Sequence, residues 1–333
     1  MKRLVSGIKP TGEMTLGNYI GAIKQFVKLQ DELKDTEFYI FIADLHAITT
    51  PQEKQTLRKN IKNIAALYVA CGLDPNRVNL FIQSEVSEHA TLGYIMESTL
   101  YIGEMERMIQ FKEKRQSQTE GIRTSLLTYP ALMAADILLY DADLVPVGED
   151  QMQHLELTKI AANRFNHLYG DTFTVPEGFT PKTGARIMGL QNPTKKMSKS
   201  DTSSSKDYIL LLDDLAVIKN KIKSAVTDSD NKIIFDKENK PGISNLLTIY
   251  SAITNKTIKE IETSYQNKSY GDFKNDLAII VSDEIAPIQK RYNEIINSKE
   301  LDTYLNRGRD QAQLIAKRKI QKVFDKIGLG RKK

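Results

Sequence analysis

A chain of 333 residues, 41% hydrophobic and 27% charged, is long enough for one or two domains with a sizeable core, and this composition excludes collagen, coiled-coil arrays and disordered tails. No stretch approaches the ~18 uncharged apolar residues of a membrane span, and Met1 to Gly7 lacks the apolar centre of a signal peptide. Cys71, the one cysteine, excludes an internal disulfide, a CxxC zinc site and a cysteine-held iron–sulfur cluster, so a cytoplasmic globular protein is expected.

The net charge of +5 is unevenly placed. Residues 1–200 hold 23 Lys+Arg and 23 Asp+Glu, so the whole excess falls in residues 201–333, with 24 and 19. It gathers at Lys317-Arg318-Lys319, Lys322, Lys326 and Arg331-Lys332-Lys333. Such a surface suits a polyanion as well as it suits a solvated helix face.

In chain order, Leu4-Val5 starts a first strand and leads into a glycine-bearing loop, after which Tyr19, Ile20, Ile23, Phe26 and Val27 recur at helical spacing. Phe38 to Ile42 is a continuous apolar run, as expected of a strand buried on both faces. A helix from about Gln52 to Ala70 follows, then strands at Val78–Ile82, at Asp143–Val147 and at Arg186–Leu190. Strand alternating with helix implies parallel crossovers, hence an α/β fold with a Rossmann-like doubly wound parallel sheet. Ligands of such sheets sit beyond the carboxyl ends of the strands, here the loops after residues 6, 43, 147 and 190. Beyond Asp207 the pattern is almost wholly helical, with a join near residues 191–207. The expected division is a catalytic domain over residues 1–203 and an all-helical, net-basic domain over residues 204–333.

Gly7 to Gly21 links the first strand to the first helix, and a helix N-terminus with unpaired N–H groups suits a phosphate. Gly17 lets an adenine ring approach the backbone, and Thr15 and Asn18, one turn apart, can donate to phosphate oxygens. Lys9 precedes Pro10, whose ring holds it extended at the mouth of this loop. Pro193 to Ser200 places three lysines and two serines in six residues after an expected strand, a cationic clamp for a leaving phosphate group. The string KMSKS occurs by chance in roughly one chain of this length in ten thousand.

Thr15-Leu16-Gly17-Asn18 resembles a degenerate HIGH signature, and Lys196-Met197-Ser198-Lys199-Ser200 matches the KMSKS signature, of class I aminoacyl-tRNA synthetases. Leu126 to Asp136, Val145 to Gln151, Ala185 to Met188, Lys221 to Asp228 and Lys240 to Asn245 resemble the bacterial tryptophanyl-tRNA synthetases in particular. The resemblance covers nearly the whole chain. It implies ATP-dependent activation of L-tryptophan to tryptophanyl-adenylate with release of pyrophosphate, then transfer to the 3′ adenosine of tRNA(Trp).

Several roles follow from the resemblance. Thr15, Gly17 and Asn18 hold adenine and phosphates, Gly148, Glu149 and Asp150 face the ribose, and the Ile187 backbone faces the adenine. Lys196 and Lys199 stabilise the departing pyrophosphate, flanked by Met197, Ser198 and Ser200, and Lys114 is a further phosphate-binding lysine. Lys9, Pro10 and Thr11 belong to the same ATP site, and Mg2+ travels with the phosphates without a protein metal site. Asp136, on an otherwise apolar helical face, accepts the single N–H of an indole. Tyr129, Met133, Val145 and Val147 line that pocket, Gln151 and Tyr129 stand near the α-ammonium, and His46 matches a pocket histidine. His89, His154 and His167 read as structural. Val5 and Lys9 stand where the family often has Phe and Gln. A homodimer is expected.

Three other readings share parts of this pattern. A tyrosyl-tRNA synthetase shares the architecture, but needs groups that receive a phenol, which the Asp136 block does not supply. Small-molecule nucleotidyltransferases share the HIGH-like loop but usually lack KMSKS and a helical extension. A non-catalytic tRNA-binding paralogue is expected to have eroded signatures, whereas Lys196 and Lys199 are intact.

Overall fold

The apolar runs become the inner strands of one parallel sheet. The computed structural model describes the chain except residues 11, 117–120, 149–150, 180–184, 200–201, 203 and 332–333, and describes no side chain for Lys114, Gln116 or Phe179. The first half runs β1 (Lys2–Ile8), α1 (Leu16–Asn18), a π-helical turn (Tyr19–Ile23), α2 (Lys24–Glu32), β2 (Thr36–Ile42), α3 (Asp44–Ala47), α4 (Lys54–Ala70) and β3 (Val78–Ile82). After a 3-10 turn (Gln83–Glu85) come α5 (Glu88–Thr99), α6 (Ile102–Glu106), α7 (Ile109–Gln116), α8 (Thr124–Leu138), β4 (Leu144–Pro146), α9 (Met152–Tyr169) and β5 (Glu177–Phe179). The remainder is helical: α10 (Leu215–Lys223), α11 (Pro241–Thr254), α12 (Ile258–Ser264), α13 (Tyr270–Ile295) and α14 (Lys299–Ile327).

The strand order is β3-β2-β1-β4-β5, with every pair parallel. Successive side chains of a strand face opposite sides, and the two apolar cores follow that alternation. Leu4, Ile40, Ile42 and Leu80 join α2, α4 and α11–α13 on one face. Val5, Tyr39, Phe41 and Phe81 join α5, α8 and α9 on the other. Helix α14 serves both: Leu301 and Leu305 pack in the first core, Ala312, Ala316 and Val323 in the second. Its buried Lys319 donates to Asp141 and to the Thr172 carbonyl at 2.9 Å. No described helix is long and apolar enough to cross a membrane.

One expected strand is corrected. The fifth strand is Glu177–Phe179, whereas the apolar run at residues 186–190 lies outside the sheet. That run pairs with the KMSKS segment, through an antiparallel bridge between Met188 and Lys196. Apolar composition marks burial equally well in either place, and the hydrogen-bonding partner decides which it is.

Candidate active site

After β3 the chain crosses back to place β4 beside β1, so the loops leaving β1 and β4 diverge and a crevice opens at that switch point. A cavity of about 400 Å³ occupies it, within the usual size of a small-molecule site. Val5, Ser6, Gly7 and Lys9 form one wall, Val145 to Gly148 another, and α8 supplies Tyr129, Met133, Asp136 and Ile137. Phe41, Ala43, His46, Thr49, Gln110 and Gln151 complete it. All seven residues expected to hold tryptophan, His46, Tyr129, Met133, Asp136, Val145, Val147 and Gln151, thus meet around one space.

Asp136 is 2% exposed, and its carboxylate has three side-chain partners. Oδ1 accepts from Gln83 Nε2 at 2.7 Å and lies 2.7 Å from His89 Nδ1, while Oδ2 lies 2.7 Å from His46 Nε2. The Leu45 N–H donates to Gln83 Oε1 at 3.1 Å, which turns the Gln83 amino group toward Asp136. His89 Nε2 in turn lies 2.7 Å from the Tyr140 hydroxyl. Burial opposes ionisation of Asp136, but hydrogen bonds and charge from His46 and His89 outweigh it and hold the carboxyl below its ordinary value. A carboxylate offers about four acceptor positions. Three are taken, two of them on Oδ1, so the remaining one is on Oδ2, beside the cavity-lining His46.

Tyr129 reaches the opposite side, donating to Gln110 Oε1 at 3.1 Å and standing 2.7 Å from His154 Nε2. Gln83, His89, Gln110 and His154 escape the sequence reading. His89 and His154 are buried as expected, yet each supports a group assigned to the amino-acid pocket. No local signal marks them: His89 meets Asp136 across 47 residues, and only after α5 packs on α8.

At the HIGH-like turn, Thr15 caps α1 and forms a capping box with Asn18. The Thr15 hydroxyl donates to Asn18 Oδ1 at 2.8 Å and accepts from the Asn18 N–H at 3.2 Å. The two side chains therefore engage each other in this conformation, with Asn18 exposed. Gly17 faces the second signature: a side chain added there would begin 3.4 Å from Met197 Cβ and 3.6 Å from Ile187 Cβ. Met197 and Ile187 are buried, and the Met197 N–H donates to the Ile187 carbonyl at 3.0 Å. The HIGH-like turn, the Ile187 segment and the KMSKS segment thus meet at one point.

The cations lie around that junction. Lys9 lines the cavity and donates to Thr49 Oγ1 at 3.1 Å, with Pro10 buried behind it. Lys196 is exposed at its bridge to Met188, and Ser198 is half-buried. Lys199 is ion-paired with Glu13, both about half exposed, and this hydrogen bond raises the Lys199 pKa. Gly148 lines the cavity and its carbonyl accepts from the Gln151 N–H at 3.0 Å. Thr11, Glu149, Asp150 and Ser200 lie outside the described residues, as does the side chain of Lys114 on α7. Among the described residues, no three His, Cys, Asp or Glu side chains are placed to hold a metal ion.

The family described as tRNA synthetases class I (W and Y) matches residues 1–285. The tryptophan–tRNA ligase of Oceanobacillus iheyensis is 57% identical over 332 residues, all of both chains. The crystal structure of tryptophanyl-tRNA synthetase from Mycoplasma pneumoniae superposes with a TM-score of 0.90 at 38% identity, over 99% of this chain and 98% of that one. That from Campylobacter jejuni, complexed with ADP and tryptophan, gives 0.84 at 33% identity, over 98% of this chain and 100% of that one. The chain belongs to the class I tRNA synthetases of the tryptophan and tyrosine group, and within it to the tryptophan–tRNA ligases.

Proposed function

We propose that the cavity between β1, β4 and α8 takes L-tryptophan, with ATP bound across the junction of Gly17, Ile187 and Met197. The observation that carries this is the spare acceptor on Asp136 Oδ2, beside the cavity-lining His46, in a carboxylate whose other positions are filled. An indole brings one N–H and a large apolar body, and Met133, Val145 and Val147 provide apolar walls. A charge-assisted hydrogen bond of this kind contributes about 1.5–3 kcal/mol. Phenylalanine has no donor for it, and the spare acceptor would go unused.

The tryptophan carboxylate oxygen attacks the α-phosphorus in line, the bond to the β-phosphate oxygen breaks, and pyrophosphate leaves with that electron pair. The chain's own groups position and stabilise charge. Thr15, Gly17 and Asn18 receive the nucleotide, exchanging the Thr15–Asn18 pairing for phosphate contacts, while Gly148, Glu149, Asp150 and the Ile187 backbone take ribose and adenine. Lys9, Lys114, Lys196 and Lys199 balance negative charge as it moves to the leaving group, with Pro10, Thr11, Met197, Ser198 and Ser200 framing them. Mg2+ enters with the ATP phosphates.

Residues 204–333 are assigned to the anticodon end of tRNA(Trp), on the strength of their basic excess. The enzyme works in the cytoplasm as a homodimer. Tyr94, Tyr101, Ile102 and Ile109, all more than half exposed on α5–α7, form the apolar face proposed to join two copies. The test is charging of unfractionated bacterial tRNA with labelled tryptophan. Label that is acid-precipitable and released by mild alkali is expected, and its absence with active enzyme would overturn the reading.

A further inference from the structure

We propose that Asn245, on α11 in the helical part of the chain, is a positioning residue for the ATP site. Its side-chain amide takes the place of a missing strand beside residues 187–189, and so holds them in register with the KMSKS segment. This rests on the reading that residues 195–199 act on the leaving pyrophosphate.

In an antiparallel pair, the backbone groups of alternate residues point to opposite edges. Ile187 and Gly189 face the KMSKS side: the Ile187 carbonyl accepts from Met197 N–H at 3.0 Å, and the Gly189 N–H donates to the Lys195 carbonyl at 2.8 Å. Met188 therefore turns its N–H and carbonyl the other way, where a further strand would lie. No described strand lies there, and Asn245 satisfies both groups. Its Oδ1 accepts from the Met188 N–H at 2.8 Å, and its Nδ2 donates to the Met188 carbonyl at 2.9 Å. A longer 3.4 Å contact reaches the Gly189 carbonyl.

The site is built for this contact. Asn245 is 5% exposed, and an amide is the one neutral side chain type offering an acceptor and a donor at the spacing of a peptide group. Helix α11 lies close enough because Gly242, one turn earlier, sits on the Val226 backbone: a Cβ there would fall 2.2 Å from the Val226 carbonyl oxygen. The same edge continues with Val226 N–H donating to the Leu190 carbonyl at 2.8 Å. Asp207 Oδ1 accepts from the Gln191 and Asn192 N–H groups at 2.7 and 2.8 Å, closing the turn that leads into the signature. Since Ile187 and Met197 both stand over Gly17, a slip of this ladder would move the walls of the nucleotide site, while the cavity around Asp136 lies on other elements.

The experiment compares Asn245→Ala, Asn245→Asp and Gly242→Ala with the wild type. Asn245→Asp keeps the shape and the acceptor but sets a carboxylate against two carbonyl oxygens, and Gly242→Ala pushes α11 away with Asn245 intact. Expected is a rise in KM for ATP of roughly ten- to a hundredfold in pyrophosphate exchange, as for stranding buried backbone groups. Tryptophan affinity without ATP stays within about twofold, and the Met197 and Gly189 amides exchange with deuterium faster than in the wild type. A merely structural role would instead lower the melting temperature and tryptophan affinity together, and that result overturns the proposal. Normal ATP kinetics in all three variants overturns it too. A Lys199→Ala control separates the causes: if it abolishes exchange while the Asn245 variants behave normally, Asn245 has no positioning role. If Lys199→Ala is itself normal, the assignment of residues 195–199 falls, and the proposal with it.

Discussion

Asp136 Oδ2 stands 2.7 Å from Nε2 of the cavity-lining His46, while Oδ1 is occupied by Gln83 and His89. The acceptor is therefore aimed as well as charged. Gln83 and His89, both fully buried, hold Oδ1, and His46 holds Oδ2, the oxygen proposed to receive the indole N–H. An acceptor held in this way costs little reorganisation when a ligand arrives.

Asp136→Asn places an amide among three donors, and one end of it must meet a donor head-on. Activity with tryptophan, as kcat/KM in pyrophosphate exchange, is expected to fall about 10- to 100-fold, the range for a lost charge-assisted bond. Discrimination against phenylalanine narrows with it. An unchanged ratio of the two amino acids would remove Asp136 as the specificity group.

The same carboxylate makes stability depend on pH. Its folded-state pKa lies below the ordinary value of about 3.9, so the folded chain binds this proton less readily than the unfolded chain. The stabilisation is then present above about pH 4 and is lost as pH falls through the folded-state value. Melting temperatures of wild type and Asp136→Asn are expected to differ at about pH 5 and to converge as pH falls below about 4. A gap that widens on acidification would contradict the assignment.

Much of this was legible in the residues themselves. The runs Phe38–Ile42 and Val78–Ile82 announced buried parallel strands, and both are present. The blocks around Asp136 and Val145 were placed in a pocket by their resemblance to the family, and these residues do line one cavity. Arg186–Leu190 misled because an apolar run records burial and says nothing of its partner, here the KMSKS segment and the Asn245 side chain. Glu177–Phe179, short and carrying Glu and Gly, gave no strand signal. Gln83 and His89 stayed silent because their partner lies far along the chain, and tertiary packing alone brings them to it.

Gly17 is expected to tolerate a methyl group in the free protein, since the nearest side-chain carbons stand at ordinary contact distance. Gly17→Ala should therefore melt within about 2 °C of the wild type. The methyl group takes the space proposed for the adenine ring, so KM for ATP rises while tryptophan binding is unchanged. Calorimetry and exchange kinetics together check this, and an unchanged KM for ATP would move the adenine elsewhere.

The lysines divide by position. Lys199 is exposed and paired with an exposed Glu13, so Lys199→Ala leaves stability unaltered. Loss of charge stabilisation at the leaving group is expected to lower kcat by about 10²-fold or more. Lys9 lines the cavity beside Thr49. Lys9→Gln keeps substantial activity, whereas Lys9→Glu sets a like charge toward the phosphates and lowers kcat far more than it raises the KM for tryptophan. Wild-type kinetics in Lys9→Glu would show that this side chain has no part in the reaction.

One cavity, with Asp136 in its wall, is proposed to select tryptophan for activation by ATP. Pyrophosphate exchange measured with each amino acid in turn tests it most directly. Robust exchange with tryptophan, little with tyrosine or phenylalanine, and collapse of the tryptophan signal in Lys199→Ala are expected. Exchange driven by tyrosine as strongly as by tryptophan, or absent with every amino acid, would contradict it.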